Sequence, residues 1–211
     1  MFDFLIVLVI LINVRLLATG RIESLISWTA VQGVILGVFA LYSRQAHLSV
    51  DVFIIGLGAL LLKGLVFPAF LLHTTKIVVT SRETEPYVGP IGSLLIGMVA
   101  LVVSLWLGTR LPIPGTDTSH LLVPGTLFSI FTGQFLIISR KMAISQAVGF
   151  LVMENGAFMI GVGTLYYAPF FVESGVLLDM FLAVLIMTVL ITDMNRAFHH
   201  IDTHELSRLK G

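Results

Sequence analysis

Gly149-Phe-Leu-Val-Met-Glu154-Asn155-Gly156-Ala-Phe-Met-Ile-Gly161 is an apolar run with one carboxylate and one carboxamide at its centre. It reads as the middle of a membrane-spanning helix. An acid at that depth costs roughly 3 kcal/mol or more on insertion scales, so it is paired with a cation, protonated, or turned towards a wet cavity. The remainder of the chain is read for a partner.

Composition places the chain in lipid. Of its 211 residues 57% are hydrophobic and 11% charged, with a mean hydropathy of +1.02, whereas a soluble domain carries about 25% charged residues. The formal net charge is zero, and nothing points to nucleic acid as a partner. There is no cysteine, which excludes disulfides, thiolate metal sites and cysteine-ligated iron–sulfur clusters. No cofactor, metal or redox site of its own is expected. The N-terminal Met-Phe-Asp-Phe-Leu lacks the basic region of a signal peptide, so the first apolar run is read as a retained helix.

Apolar runs bounded by charge, Pro or Gly predict an all-α polytopic fold of seven transmembrane helices, at about 3–19, 25–43, 52–75, 90–109, 121–139, 143–166 and 174–194. These form one transmembrane domain over about 1–195, followed by a tail over about 196–211. The short linkers make neighbouring helices antiparallel, so alternate loops share a side. One side then collects Arg15, Arg21, Lys76, Arg82, Arg140, Lys141, Arg196, Arg208 and Lys210, against Arg44 and Arg110 on the other. By the positive-inside rule the N-terminus is expected outside and the C-terminus in the cytoplasm.

The first helix is apolar apart from Asn13 and Arg15. The second carries Gln32-Gly33 near its centre, with Gly37 one turn on. Gln32 is an uncharged counterpart of Glu154, which suggests a parallel repeat of three helices on either side of the fourth. The third helix contains Leu60-Leu-Leu-Lys63-Gly64-Leu-Val-Phe-Pro68-Ala-Phe-Leu-Leu-His73. Pro68 offers no N–H to the Gly64 carbonyl, which predicts a kink one turn beyond Lys63 and a natural place for water. A lysine near a span's end can snorkel to the interface; Lys63 is near the middle, badly placed for that, and is a candidate functional amine. A carboxyl and an amine within reach of each other can pass a proton between two comparable states. The alternative for Glu154 is a structural acid hydrogen-bonded to a neighbouring helix, with Asn155 doing the same.

In the tail, His199, His200, Asp202 and His204 include a His pair at metal-compatible spacing but no third ligand on a recognisable fold. The tail is read as a docking segment for a cytoplasmic partner.

The segment Thr132-Gly-Gln-Phe-Leu-Ile-Ile-Ser-Arg-Lys-Met-Ala-Ile-Ser-Gln-Ala-Val-Gly-Phe-Leu-Val-Met-Glu154-Asn-Gly, with the later His-His-Ile-Asp-Thr-His-Glu-Leu, resembles the component E membrane subunit of hydrogenase-4 and related formate hydrogenlyases. The fifth to seventh helices also resemble the K-type subunit of respiratory complex I. Where that subunit's pattern is G-L-E-I-M-x-N, Gly149-Phe-Leu151-Val-Met-Glu154-Asn155 has Leu in place of the acid and Glu three residues on. That keeps the carboxylate on the same face but moves it about 4–5 Å along the axis. The pattern's second acid falls near Asp179. Lys63-x-x-x-x-Pro68 is similar to the Lys-x4-Pro piece of the antiporter-like subunits, whose downstream His is Phe70 here, leaving His73 to replace it.

The resemblance implies a non-catalytic subunit of an energy-converting NiFe-hydrogenase or formate hydrogenlyase in a bacterial or archaeal cytoplasmic membrane. Its partners would be antiporter-like and other membrane-arm subunits, the lipid bilayer, and a cytoplasmic NiFe-hydrogenase and iron–sulfur arm docked through the tail and loops. Protons or sodium ions would move past Glu154, Lys63, Asp179, His73, Asn155 and Gln32. A structural spacer and a free-standing cation transporter are the alternatives.

Overall fold

In lipid no water satisfies backbone N–H and C=O groups, and a chain of long, continuous apolar runs closes them within helices. The computed structural model describes residues 2–43, 57–58, 60–77, 86–111 and 119–164, and its elements are helical throughout. Helix α1 runs Phe2–Ala18, with Asp3 in its first turn and Arg15 in its last, as the helix dipole favours. Helix α2 is Ile22–Ser43. A π-helical turn at Leu62–Val66 leads into α3, Phe67–Ile77. Then follow α4, Pro90–Arg110, with Pro at its start where no N–H is needed, α5, Leu122–Ser139, and α6, Ala143–Thr164.

Four helical stretches, Ile22–Tyr42, Pro90–Arg110, Leu122–Ser139 and Ala143–Gly163, are long and apolar enough to cross a membrane. The protein is an all-α membrane protein. The expected seventh helix with Asp179, and the tail with its histidines, lie outside the described residues, and with them the comparison on which an internal repeat depends.

Contacts at the helix ends give the alternating arrangement. At one end the Phe2 ring lies 5.6 Å from Phe39 and 5.3 Å from Tyr42, Ser119 hydrogen-bonds Asp3, and Gly108 packs on Pro124. At the other, Arg140 donates to the Thr19 carbonyl at 2.9 Å and the Tyr87 N–H to the Ser139 carbonyl at 3.0 Å. The start of α1 therefore meets the end of α2 and the approach to α5, and the start of α5 meets the end of α4.

Large apolar side chains face outwards on α4, where Ile91, Leu95, Met98, Val99, Val102 and Trp106 are exposed while Ser93, Gly97 and Ser104 are buried. This is the pattern of a lipid-facing helix, which packs inward through small residues. Inside, two apolar clusters are stacked along the bundle. One contains Ile12, Leu16, Ile26, Leu71, Leu136 and Val152, the other Leu5, Val9, Leu36, Phe39, Leu122 and Met159. On α2, α5 and α6 the residues that fall between the two clusters include Gln32, Ser129, Glu154 and Asn155, and on α1 Asn13 follows Ile12 at the inner edge of the first cluster; all five are buried. A polar layer thus crosses the middle of an apolar core.

Glycines set how closely the helices approach. A Cβ on Gly133 of α5 would collide with backbone atoms of Met153 and Gly149, and one on Gly149 would lie 2.9 Å from the Gly133 carbonyl oxygen. On the other side of the bundle, a Cβ on Gly33 would lie 2.6 Å from the Lys63 carbonyl oxygen, and one on Gly37 would lie 2.7 Å from Leu60 Cβ. Gly33 and Gly37 are one turn apart, a small-xxx-small seam.

The break expected at Pro68 is an inserted residue. The Phe67 N–H bonds the Leu62 carbonyl, five residues back, and the α-helix restarts with Pro68 as its second residue. Proline is tolerated in a helix's first turn, where its N–H is not required. The wide turn therefore sits at Lys63 itself, and such turns are frequent at functional sites.

Gly133→Ala is expected to lower the stability of the detergent-purified chain by about 1–3 kcal/mol or more, as overpacking does. Gly20→Ala, where nothing lies within 4 Å of the added Cβ, is expected to be neutral. Thermal unfolding of the two variants checks the difference.

Candidate functional site: a buried ion pair and its polar ladder

Helix α6 presents two faces to the bundle. Gly149 and Gly156 pack on α5; at about 100° per residue, Glu154 and Phe158 project from the opposite side. There the Lys63 ammonium forms a salt bridge with Glu154 Oε1 and lies 4.3 Å from the centroid of the Phe158 ring. Lys63 is 2% exposed and Glu154 1%. The cation is held between a carboxylate and an aromatic face, both attractive to it. Gly33 makes this reach possible, because the Lys63 backbone rests directly on α2 at a position with no side chain.

The next residue on each of two helices continues the polar layer. Asn155, after Glu154, donates from Nδ2 to Gln32 Oε1 at 3.3 Å, and Gln32 precedes Gly33 on α2. Gln32 Nε2 donates to Asn13 Oδ1 at 3.1 Å, Asn13 Nδ2 to Ser129 Oγ at 2.7 Å, and Ser129 Oγ to the Gly125 carbonyl at 2.9 Å. Four bonds thus join α6, α2, α1 and α5 in a single donor-to-acceptor direction. At its Asn155 end, Oδ1 has no hydrogen-bond partner among the described residues, and neither do the buried hydroxyls of Thr126 and Thr132.

Of the residues singled out in the sequence, Glu154 and Lys63 meet directly, and Asn155 and Gln32 bond each other beside them. His73 is exposed on α3, about 15 Å of helical rise from Lys63. Asp179 lies outside the described residues. Asn13 and Ser129 join the site without having been assigned to it. Asn13 carries the same signal as Glu154, a polar group in an otherwise apolar helix, whereas a lone serine on an apolar helix carries none. Arg140, counted as a loop charge, is buried at 3% exposure and caps the carbonyl end of α1 through Thr19. Among the described residues no three His, Asp or Glu side chains form a group that could hold a metal. The apolar recess between α1, α4 and α5, lined by Leu17, Gly97, Val103, Phe131 and Phe135 among others, is not lined by the ion pair.

Fold and site together define an α-helical membrane protein with an ion pair and a carboxamide ladder buried at its centre. Its sequence is distantly homologous to hydrogenase-4 component E: it is 22% identical over 154 residues to that protein of Escherichia coli and of Shigella flexneri, covering 73% of this chain and 71% of the relative. It is also 27% identical over 209 residues to an uncharacterized protein of Mycobacterium tuberculosis, covering 95% of this chain and 92% of the relative. No protein-family model matches the chain, and no solved structure matches it.

Removing one member of a buried ion pair strands the other and costs about 3–5 kcal/mol, while replacing both with apolar residues is often neutral. Lys63→Met and Glu154→Leu singly are expected to destabilise the purified chain by that amount. The double variant should regain most of the loss in the same unfolding assay.

Proposed function

We propose that this chain is a membrane-arm subunit of an energy-converting NiFe-hydrogenase or formate hydrogenlyase complex and helps to move protons, or sodium ions, when electrons pass through a cytoplasmic arm. The observation that carries the reading is the Lys63–Glu154 pair, an amine and a carboxyl in contact at the centre of the bundle. Intramembrane ionisable groups are costly, and where they occur they mark ion and proton pathways. Distant homology to hydrogenase-4 component E supports the choice of complex.

In this reading Glu154 is the relay acid and Lys63 the amine that accepts or modulates its proton. Gln32, Asn155 and His73 hold water along the route, and Asp179 is the second acid that the resemblance assigns to it. The N-terminus faces outward, the C-terminal tail and the basic loops face the cytoplasmic hydrogenase and iron–sulfur arm, and the lipid-facing flanks meet antiporter-like and other membrane subunits. No cofactor is assigned to the chain.

In inverted membrane vesicles containing the complex, Glu154→Gln and Lys63→Ala are expected to leave hydrogen evolution measurable and to lower coupled proton accumulation by roughly 10²-fold, the low end for loss of an acid–base group. Variants that assemble and accumulate protons normally would identify the subunit as a structural spacer. A purified chain that moved cations in liposomes unaided would make it a transporter in its own right.

A further inference from the structure

The proton-path reading uses the ion pair, whereas the longest-range feature of the site is the ladder beside it. Its four bonds run in one sense, from Asn155 through Gln32 and Asn13 to Ser129 and the Gly125 carbonyl. Asn13 is the middle link, the side chain that accepts from α2 and donates to α5, and it is fully buried. Because the Ser129 hydroxyl spends its proton on the Gly125 carbonyl, it can only accept from Asn13. That choice fixes the orientation of the Asn13 carboxamide, then that of Gln32, then that of Asn155.

We propose that Asn13 is a positioning residue for Glu154: through Gln32 it fixes the rotation of the Asn155 carboxamide and of the α6 turn that carries the acid, so that Asn155 offers an acceptor oxygen next in sequence to the relay group. The ladder orients and does not conduct. Its side chains are neutral amides and a hydroxyl, and none exchanges a net proton under ordinary conditions. Its geometry ties the acid to three other helices, since Asn155 bonds α2 while its neighbour Glu154 bonds the π-helical turn, and Gly33, next to Gln32, carries the Lys63 backbone. A buried ladder of this kind specifies one arrangement when its links are made, and breaking one link leaves its partners unpaired.

This inference gives Asn13 a role within the Glu154 relay proposed above, yet it is tested without relying on that relay. In the purified full-length chain, the infrared band of the Glu154 carboxyl or carboxylate is identified by its absence from Glu154→Gln. Asn13→Leu, which keeps the branched shape and removes both bonds, is expected to shift that band. Gln32→Leu should shift it similarly, and the double variant no further than either alone. Ser129→Ala, a smaller change at the far end, should shift it in the same direction and serves if Asn13→Leu does not accumulate. A Glu154 band unmoved by Asn13→Leu or Ser129→Ala, or shifts that add in the double variant, would overturn the positioning role.

Vesicle measurements separate the two ideas. If Glu154→Gln couples normally while Asn13→Leu still moves the band, the relay reading fails and the ladder stands. If Glu154→Gln uncouples and Asn13→Leu does not move the band, the relay stands and the ladder fails. With both intact, Asn13→Leu should lower proton accumulation per hydrogen evolved severalfold at an unchanged amount of assembled complex, a ratio that a general loss of stability does not alter.

Discussion

The salt bridge between Lys63 and Glu154 is the constraint to which the rest of this bundle conforms. Neither charge is tolerable alone at the centre of an apolar core, and together they are tolerable only if their helices stand close enough for contact. That closeness comes from missing side chains. Gly33 lets the Lys63 backbone rest on α2, and Gly133 and Gly149 bring α5 and α6 into backbone contact. The π-helical turn and Pro68 then set the register from which the lysine reaches across.

The polar layer also explains how the bundle's interior is divided. Two apolar clusters lie towards opposite ends, and between them the ladder and the ion pair connect α6 to α1, α2, α5 and the Lys63 turn. Hydrogen bonds in such a setting contribute only modestly to net stability, but they choose one helix rotation over others because every unmade bond is costly. The ladder therefore acts less as a source of stability than as a fixture that holds one face of α6 towards the lysine. In lipid, where the outside of the protein is as apolar as its inside, specificity of this kind has to come from packing and polar contacts.

Much of this was legible in the sequence, and the gaps have physical causes. Apolar runs broken by charge locate α1, α2, α4, α5 and α6, because a long continuous apolar run in lipid closes its backbone bonds within a helix. The cost of intramembrane charge singled out Glu154 and Lys63, and the central polar positions of Gln32 and Asn155 singled out those two. Contact between Glu154 and Lys63 was not legible, since it depends on how glycines on different helices match. Pro68 signalled a break but not its form: proline forbids a bond, and the chain meets this with a π-helical turn that inserts a residue. Ser129 was invisible, because serine is common in helices and usually bonds its own backbone. His73 was placed by a motif match, yet ten residues from Lys63 it is turned by roughly a quarter of a revolution even on a regular helix, and it emerges on an exposed face.

The most direct measurement is time-resolved infrared difference spectroscopy of the assembled complex during turnover, with Glu154→Gln as the reference that identifies the Glu154 band. A relay role predicts that this band changes and recovers within each catalytic cycle, in step with proton release. A band that stays constant while protons are moved would contradict it and leave the Lys63–Glu154 pair as a structural contact.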